Sequence, residues 1–258
     1  MGYKIESRDS VLIFCINRPS KRNAVNYDVM DGLQQAIDRA KIQDNIKALM
    51  ITGEGTKAFC SGGDIQAFHS LKSQQEAHHM LSKMGHILYN LATLPKITVA
   101  FINGTAIGGG CEIAAACDFR VARPQAKLGF IQASLAITTG WGGGALLYER
   151  LIPNQALHLL TTANIYPAEK LRETGFIDYM VKGQSLGEVL ELIKPMLLKN
   201  VHVLAAYKQM LIEKWKRGDL QQRMDLEILK CSLLWEKQEH HDAVDQFLNS
   251  SSRKNTNS

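Results

Sequence analysis

No apolar run in the chain approaches the roughly 20 residues that a membrane-spanning helix needs; Val11–Ile16 is only strand length. The opening residues, MGYKIESRDS, lack the apolar core of a secretory signal. A myristoylation motif is missing too, because Glu6 stands where Ser or Thr is required after Gly2. The five cysteines, Cys15, Cys60, Cys111, Cys117 and Cys231, form no Cys-x-x-Cys pair and follow no regular spacing. That excludes a disulfide framework and a zinc ribbon, so no metal is expected and a reducing compartment such as the cytoplasm is. A concentrated basic tract is also lacking. The net charge of +5 is spread along a chain of mixed sign, which suits an acidic ligand better than a nucleic acid. No repeat of solenoid length is visible.

What is present is a chain of 258 residues, 45% hydrophobic, long enough to bury a sizeable core. Its first half alternates short apolar runs with helical periodicity. Val11–Ile16, Ile46–Thr52 and Ile97–Ile102 read as buried strands. Asn26 reads as the cap of a helix carrying Val29, Leu33, Ile37 and Ala40 at helical spacing, and 74–91 reads as another helix. Strands separated by helices imply a layered α/β core with crossover connections. After Pro153 the pattern turns helical, with apolar stripes over 184–199, 201–215 and 220–235 and a break at Gly218–Asp219. The expected plan is an α/β core over 1–195, a helical region over 196–248, and a polar, disordered tail over 249–258.

Two glycine-rich segments each follow a strand. In Ala58–Ile65 (AFCSGGDI), paired glycines permit a tight turn and close approach of a ligand to backbone, and Asp64 is placed to cap the segment after it. In 103–112 (NGTAIGGGCE), three glycines open an apolar helix, exposing amides at the positive end of its dipole. The spacing fits neither a dinucleotide fingerprint nor a P-loop. Glu112, in the first turn, reads equally as a helix-start glutamate and as a functional carboxylate.

These blocks, with the later AKLGFIQASLAITTGWGG, resemble the three signature segments of the enoyl-CoA hydratase/isomerase (crotonase) superfamily, in its order and spacing. Asn17-Arg18-Pro19 with Asn23-Ala24 resembles the family's N-terminal strand and turn. The resemblance runs from about residue 3 to about residue 248. It implies a spiral of ββα turns with a C-terminal helical region that forms trimers or paired trimers. It also implies an acyl-CoA substrate, no cofactor beyond the coenzyme A that the substrate carries, and two backbone amides that hold the thioester oxygen. By motif position those amides belong to Ser61 and Gly109, with Glu112 as a catalytic carboxylate. Substrate contacts are implied for Ala24, Phe59, Gly62, Gly63, Asp64, Ile65, Gly110, Gln132, Gly140 and Trp141.

The chain departs from the family's hydratases at one point. They use a second glutamate where this chain has Gln132, and a glutamine amide cannot act as a general base near neutrality. Trp141 stands where hydratases carry a small residue, and 130–143 resembles ethylmalonyl- and methylmalonyl-type CoA decarboxylases, which keep only the first glutamate. Trp141 reads equally as a core aromatic. Decarboxylation of a malonyl-type CoA ester is therefore expected ahead of hydration of a 2-enoyl-CoA. A noncatalytic RNA-binding relative is the distant alternative. Against it stands the absence of a basic stripe with interleaved aromatics. Cys60 and Cys111 lack a base partner and read as small buried residues. His78 and His79 read as solvated, and Lys21 and Arg22 as a turn or a phosphate contact. Lys214, Lys216 and Arg217 read as a solvated helix end.

Overall fold

The computed structural model describes residues 1–183 and 185–255, with side chains through 249. The larger sheet has the order β1-β2-β3-β5-β7-β10. It contains β1 (Tyr3–Arg8), β2 (Val11–Ile16), β3 (Ala48–Gly53), β5 (Ile97–Ile102), β7 (Phe119–Ala122) and β10 (Tyr179–Met180). All its pairings are parallel except the β1–β2 hairpin. A smaller sheet, β4-β6-β8-β9, comprises Ala58–Cys60, Thr105–Ile107, Lys127–Gly129 and Tyr166–Pro167.

Consecutive strands alternate between the sheets: β3 then β4, β5 then β6, β7 then β8. A helix follows each of the first two pairs, α2 (Ile65–Phe68) and α3 (Gln74–Ala92) after β4 and α4 (Gly109–Ala116) after β6. This is the expected spiral of ββα turns, with each turn adding one strand to each sheet.

The central strands read as unbroken apolar runs because both faces are covered. Leu12, Phe14 and Ile16 face the main core, which also receives α1 (Tyr27–Ile42) and α3. Val11, Ile13, Met50, Val99 and Phe101 face a second core under α8 (Leu186–Leu197) through Val189, Leu190 and Ile193. Two expected strands match to the residue, and the third starts at Ala48 rather than Ile46. Asn26 caps α1, its side chain accepting from the Val29 amide. Ser73 and Glu76 form a capping box at the start of α3.

Beyond the core strands come α5 (Gly143–Arg150), α6 (Pro153–Thr162) and α7 (Ala168–Glu173), then α8, α9 (Val201–Arg217), α10 (Leu220–Trp235) and α11 (Gln238–Asn255). The stripe expected over 184–199 becomes α8, while residue 184 itself lies outside the described residues. The tail expected to be disordered from 249 is instead helical to Asn255, because α11 carries its own i→i+4 ladder past the polar run; residues 256–258 lie outside the described residues.

The C-terminal helices fold back onto the same core. Leu220, Met224, Ile228 and Cys231 of α10 are buried in it. A side chain at Gly85 of α3 would collide with Ile228, 2.4 Å from its Cδ1, so glycine there lets the two helices close together. The α9 helix docks through a charged cluster. Lys208, 4% exposed, is hydrogen-bonded to Asp118, and the Trp215 ring lies beneath both Lys208 and Arg150.

Candidate active site

Both glycine-rich segments are held at strand ends by buried polar side chains. Asn23, fully buried, donates to the Ala58 carbonyl at 2.7 Å and accepts from the Arg18 amide. Arg18 binds Asp64 at 2.7 Å, and Asp64 also accepts from the Gln66 amide, which starts α2. Neighbouring Arg18 and those amides hold the Asp64 carboxyl below its usual range, against the effect of its burial. The Asp64 side chain is thus committed to the protein, as is that of Phe59, which has no exposed surface and packs in the core. The side chains of these two expected substrate contacts are thus occupied within the protein, which leaves their backbone for any contact with a ligand. Ala24 and Gly110 are also buried, Gly110 against Cys60, and Ile65 is half-buried at the start of α2.

At the second segment Gly108 adopts φ +54°, a left-handed turn that glycine takes without strain, and α4 begins at Gly109. Glu112 projects from the first turn of α4 and is 2% exposed. Four donors surround its carboxylate. One oxygen accepts from the Trp141 and Gly143 amides at 2.8 and 2.9 Å; the other accepts from the Gln132 side-chain amide at 2.8 Å and the Gly140 amide at 3.4 Å. Burial pushes the carboxyl above its ordinary range, and the four donors oppose that shift without reversing it. No cation pairs with it among the described residues. Gly143 must be glycine, since a Cβ there would lie 2.3 Å from Glu112 Cγ.

Gln132, 8% exposed, sits in a short 3-10 turn of residues 132–135, and its Oε1 is buried without a partner among the described residues. Sequence placed Glu112, Gln132, Gly140 and Trp141 in one site, and the structure brings these four together.

The Trp141 indole, 4% exposed, lies over the glycines of both segments. A Cβ at Gly109 would stand 2.1 Å from its Cζ3, and one at Gly63 would stand 3.6 Å from its Cζ2. The Gly63 and Gly109 amides donate to no other group among the described residues. The Ser61 amide, by contrast, donates to the Arg22 carbonyl at 3.1 Å. The Ser61 amide of the expected pair Ser61 and Gly109 is therefore spent within the protein, and the free amides of the two segments are those of Gly63 and Gly109. The reason is Gly62, whose φ of +93° breaks the strand's alternation and separates the two amides.

One group escaped the sequence reading. Glu227 of α10 is half-buried and accepts from the Gly144 and Ala145 amides at 3.0 and 2.7 Å, next to the residues that bind Glu112. Burial first, and the neighbouring Glu112 carboxyl second, push its carboxyl up to about 7. Its signal was present: it lies three residues after Met224 and four before Cys231, on the buried stripe of α10.

Cys60 and Cys111 are buried thiols, Cys60 pushed up to about 12 by desolvation and Cys111 also raised, so neither is nucleophilic. His78 bonds Ser82, and Lys21 bonds Gln66. Lys214 pairs with Glu149. No group of three or more metal-binding side chains occurs among the described residues.

The family model described as enoyl-CoA hydratase/isomerase matches residues 6–254 of this chain. A crotonyl-CoA hydratase of Syntrophomonas wolfei is 29% identical over 95% of this chain and 94% of its own length. An ethylmalonyl-CoA decarboxylase of Xenopus tropicalis is 34% identical over 77% of this chain and 67% of its own length. An enoyl-CoA hydratase/isomerase crystal structure from Mycobacterium paratuberculosis superposes with a TM-score of 0.86 at 22% identity, covering 95% of this chain and 98% of that one. At that identity the likeness speaks for the fold.

Proposed function

The chain belongs to the enoyl-CoA hydratase/isomerase family, and from that premise we propose that it is an acyl-CoA enzyme that decarboxylates a short malonyl-type CoA ester. The observation that carries this reading is the pairing of one buried carboxylate, Glu112, with the neutral amide of Gln132. Departure of CO2 leaves the electrons of the broken C–C bond in an enolate, so no base has to remove a proton. The Gly63 and Gly109 amides donate to the enolate oxygen; preorganised donors of this kind are each worth about 100- to 1000-fold in rate. Glu112, whose protonated form burial favours, returns a proton to the carbon. A second ionised carboxylate about 4 Å from the substrate carboxylate would cost roughly 4 kcal/mol at an effective dielectric of 20. Gln132 imposes no such cost and offers a hydrogen bond. The reaction calls for no cofactor beyond the coenzyme A of the substrate.

A second reading, hydration of a 2-enoyl-CoA, is favoured by one observation: Glu227 of α10 is another carboxylate, bound to amides of the same turn that holds Glu112. Methylmalonyl-, ethylmalonyl- and crotonyl-CoA supplied at equal concentration separate the two. CO2 release from a malonyl ester supports decarboxylation; turnover of crotonyl-CoA alone overturns it.

Trimeric assembly is part of this proposal. The exposed apolar side chains Tyr207 and Met210 of α9 and Leu226, Leu229 and Leu233 of α10 support it, and light scattering tests it. The five free thiols fit a reducing compartment such as the cytoplasm. Salt-sensitive RNA binding without turnover of any CoA ester would favour the noncatalytic alternative.

A further inference from the structure

Two carboxylates end on one turn of chain. Glu112 of α4 takes the amides of Trp141 and Gly143, and Glu227 of α10 takes those of Gly144 and Ala145, at 3.0 and 2.7 Å. The Thr139 hydroxyl also accepts from the Gly144 amide, at 3.1 Å. The turn from Thr139 to Ala145 is therefore pinned from two helices, and each carboxylate depends on the shape that the other imposes.

We propose that Glu227 is a positioning residue for the chemistry at Glu112: it fixes the turn that supplies the Glu112 donors, and the two carboxylates, ending on neighbouring amides of that turn, titrate as a coupled pair. This rests on the reading of Glu112 as the proton donor. The surroundings leave that coupling without a counter-charge. Glu227 meets Glu112 from α4, the Thr139 hydroxyl from the preceding loop and the amides of α5. On α10 itself the Cys231 thiol, kept neutral by burial, donates to the Thr138 carbonyl at 3.3 Å. Lys214 of α9 and Arg223 of α10 are spent on Glu149, at 2.9 and 2.7 Å. The α3 helix meets α10 through Gly85 against Ile228, and α11 does so through His240 against Trp235. With amides and a hydroxyl but no cation to meet them among the described residues, two charges repel, and their protons leave in two separated steps that belong to the pair. Burial raises both carboxyls above their ordinary range. Charge on one member thus sets the protonation of the other.

The test is carboxyl titration by 13C NMR of glutamate-labelled protein, alongside the pH profile of kcat/KM. Glu227→Gln keeps the size and one acceptor but removes the charge. The two steps should collapse into one, shifted down by about one pH unit or more as expected for loss of a neighbouring like charge. Glu227→Asp should keep both steps while lowering kcat. Glu112→Gln reads the same coupling from the other side and should lower the Glu227 step whether or not Glu227→Gln folds. An upper step unmoved in both Gln variants overturns the proposal. If Glu112→Gln lowers that step yet retains full turnover, the coupling stands and the reading of Glu112 as proton donor fails.

Discussion

The two ends of α4 each bury a carboxylate and treat it differently. At the N-terminal end Glu112 is surrounded by N–H dipoles, with no cation in contact among the described residues. Just past the C-terminal end, Asp118 meets Lys208 and, at 3.9 Å, Arg150, with its other oxygen on the Thr98 amide. Dipoles stabilise a charge without cancelling it, so burial still governs Glu112 and holds its carboxyl above the ordinary range. A full counter-charge instead commits the group to structure. On one short helix, then, the choice of partner separates a carboxylate able to exchange a proton from one that docks a neighbouring helix.

The contrast breaks most visibly at Glu112 itself. Glu112→Gln is expected to lower turnover of the accepted CoA ester by about 100- to 10,000-fold, the range of a lost acid–base group, with folding retained in circular dichroism. Lys208→Met should do the reverse. Leaving Asp118 buried without its closest cation costs about 3–5 kcal/mol, read from urea unfolding, while turnover of the folded fraction stays unchanged.

Next comes the space around the Trp141 ring. Gly109→Ala forces a methyl group into the indole, 2.1 Å from Cζ3. Catalysis should fall through displacement of the amide beside it, and Trp141→Ala in the same chain should restore part of the loss in kcat.

A smaller effect comes with pH. Glu227 is raised from 4.5 to about 7 in the folded protein. Its contribution is stabilising and complete below the unfolded value, and it is lost as pH rises through about 7, at about 1.4 kcal/mol for each pH unit between the unfolded and folded values. The stability of Glu227→Gln relative to the native chain should therefore improve between about pH 5 and about pH 8, measured by unfolding at several pH values. The smallest effect is expected from alkylation at neutral pH. Iodoacetamide should leave Cys60 and Cys111 unmodified and turnover intact, since both thiols are buried and raised.

Much of this was legible beforehand. Val11–Ile16 and Ile97–Ile102 announce themselves as runs of apolar residues covered on both faces, and Asn26 and the Gly218–Asp219 break mark helix ends by local chemistry. Glu112 and Gln132 were readable by motif. That the Ser61 amide is spent was not legible, because amide direction depends on a single backbone angle at Gly62, which no residue type specifies. Glu227 was passed over because its partners, Gly144 and Ala145, lie more than 80 residues away in sequence. The disordered tail was misread from polar composition, although polar residues can extend an existing helix to Asn255.

By itself, the sequence determined the layered α/β core, the two glycine segments and the lone glutamate with a glutamine in place of its partner, because hydrophobic period, glycine placement and side-chain chemistry are local properties; the ββα spiral was legible only through the family resemblance that those segments carry. Only the tertiary structure decided which amides are free, that Trp141 lies on both glycines, and that Glu112 and Glu227 end on one turn of chain. Those are properties of approach between distant segments, and in a close-packed interior an ångström of backbone placement settles whether a donor is spent or available.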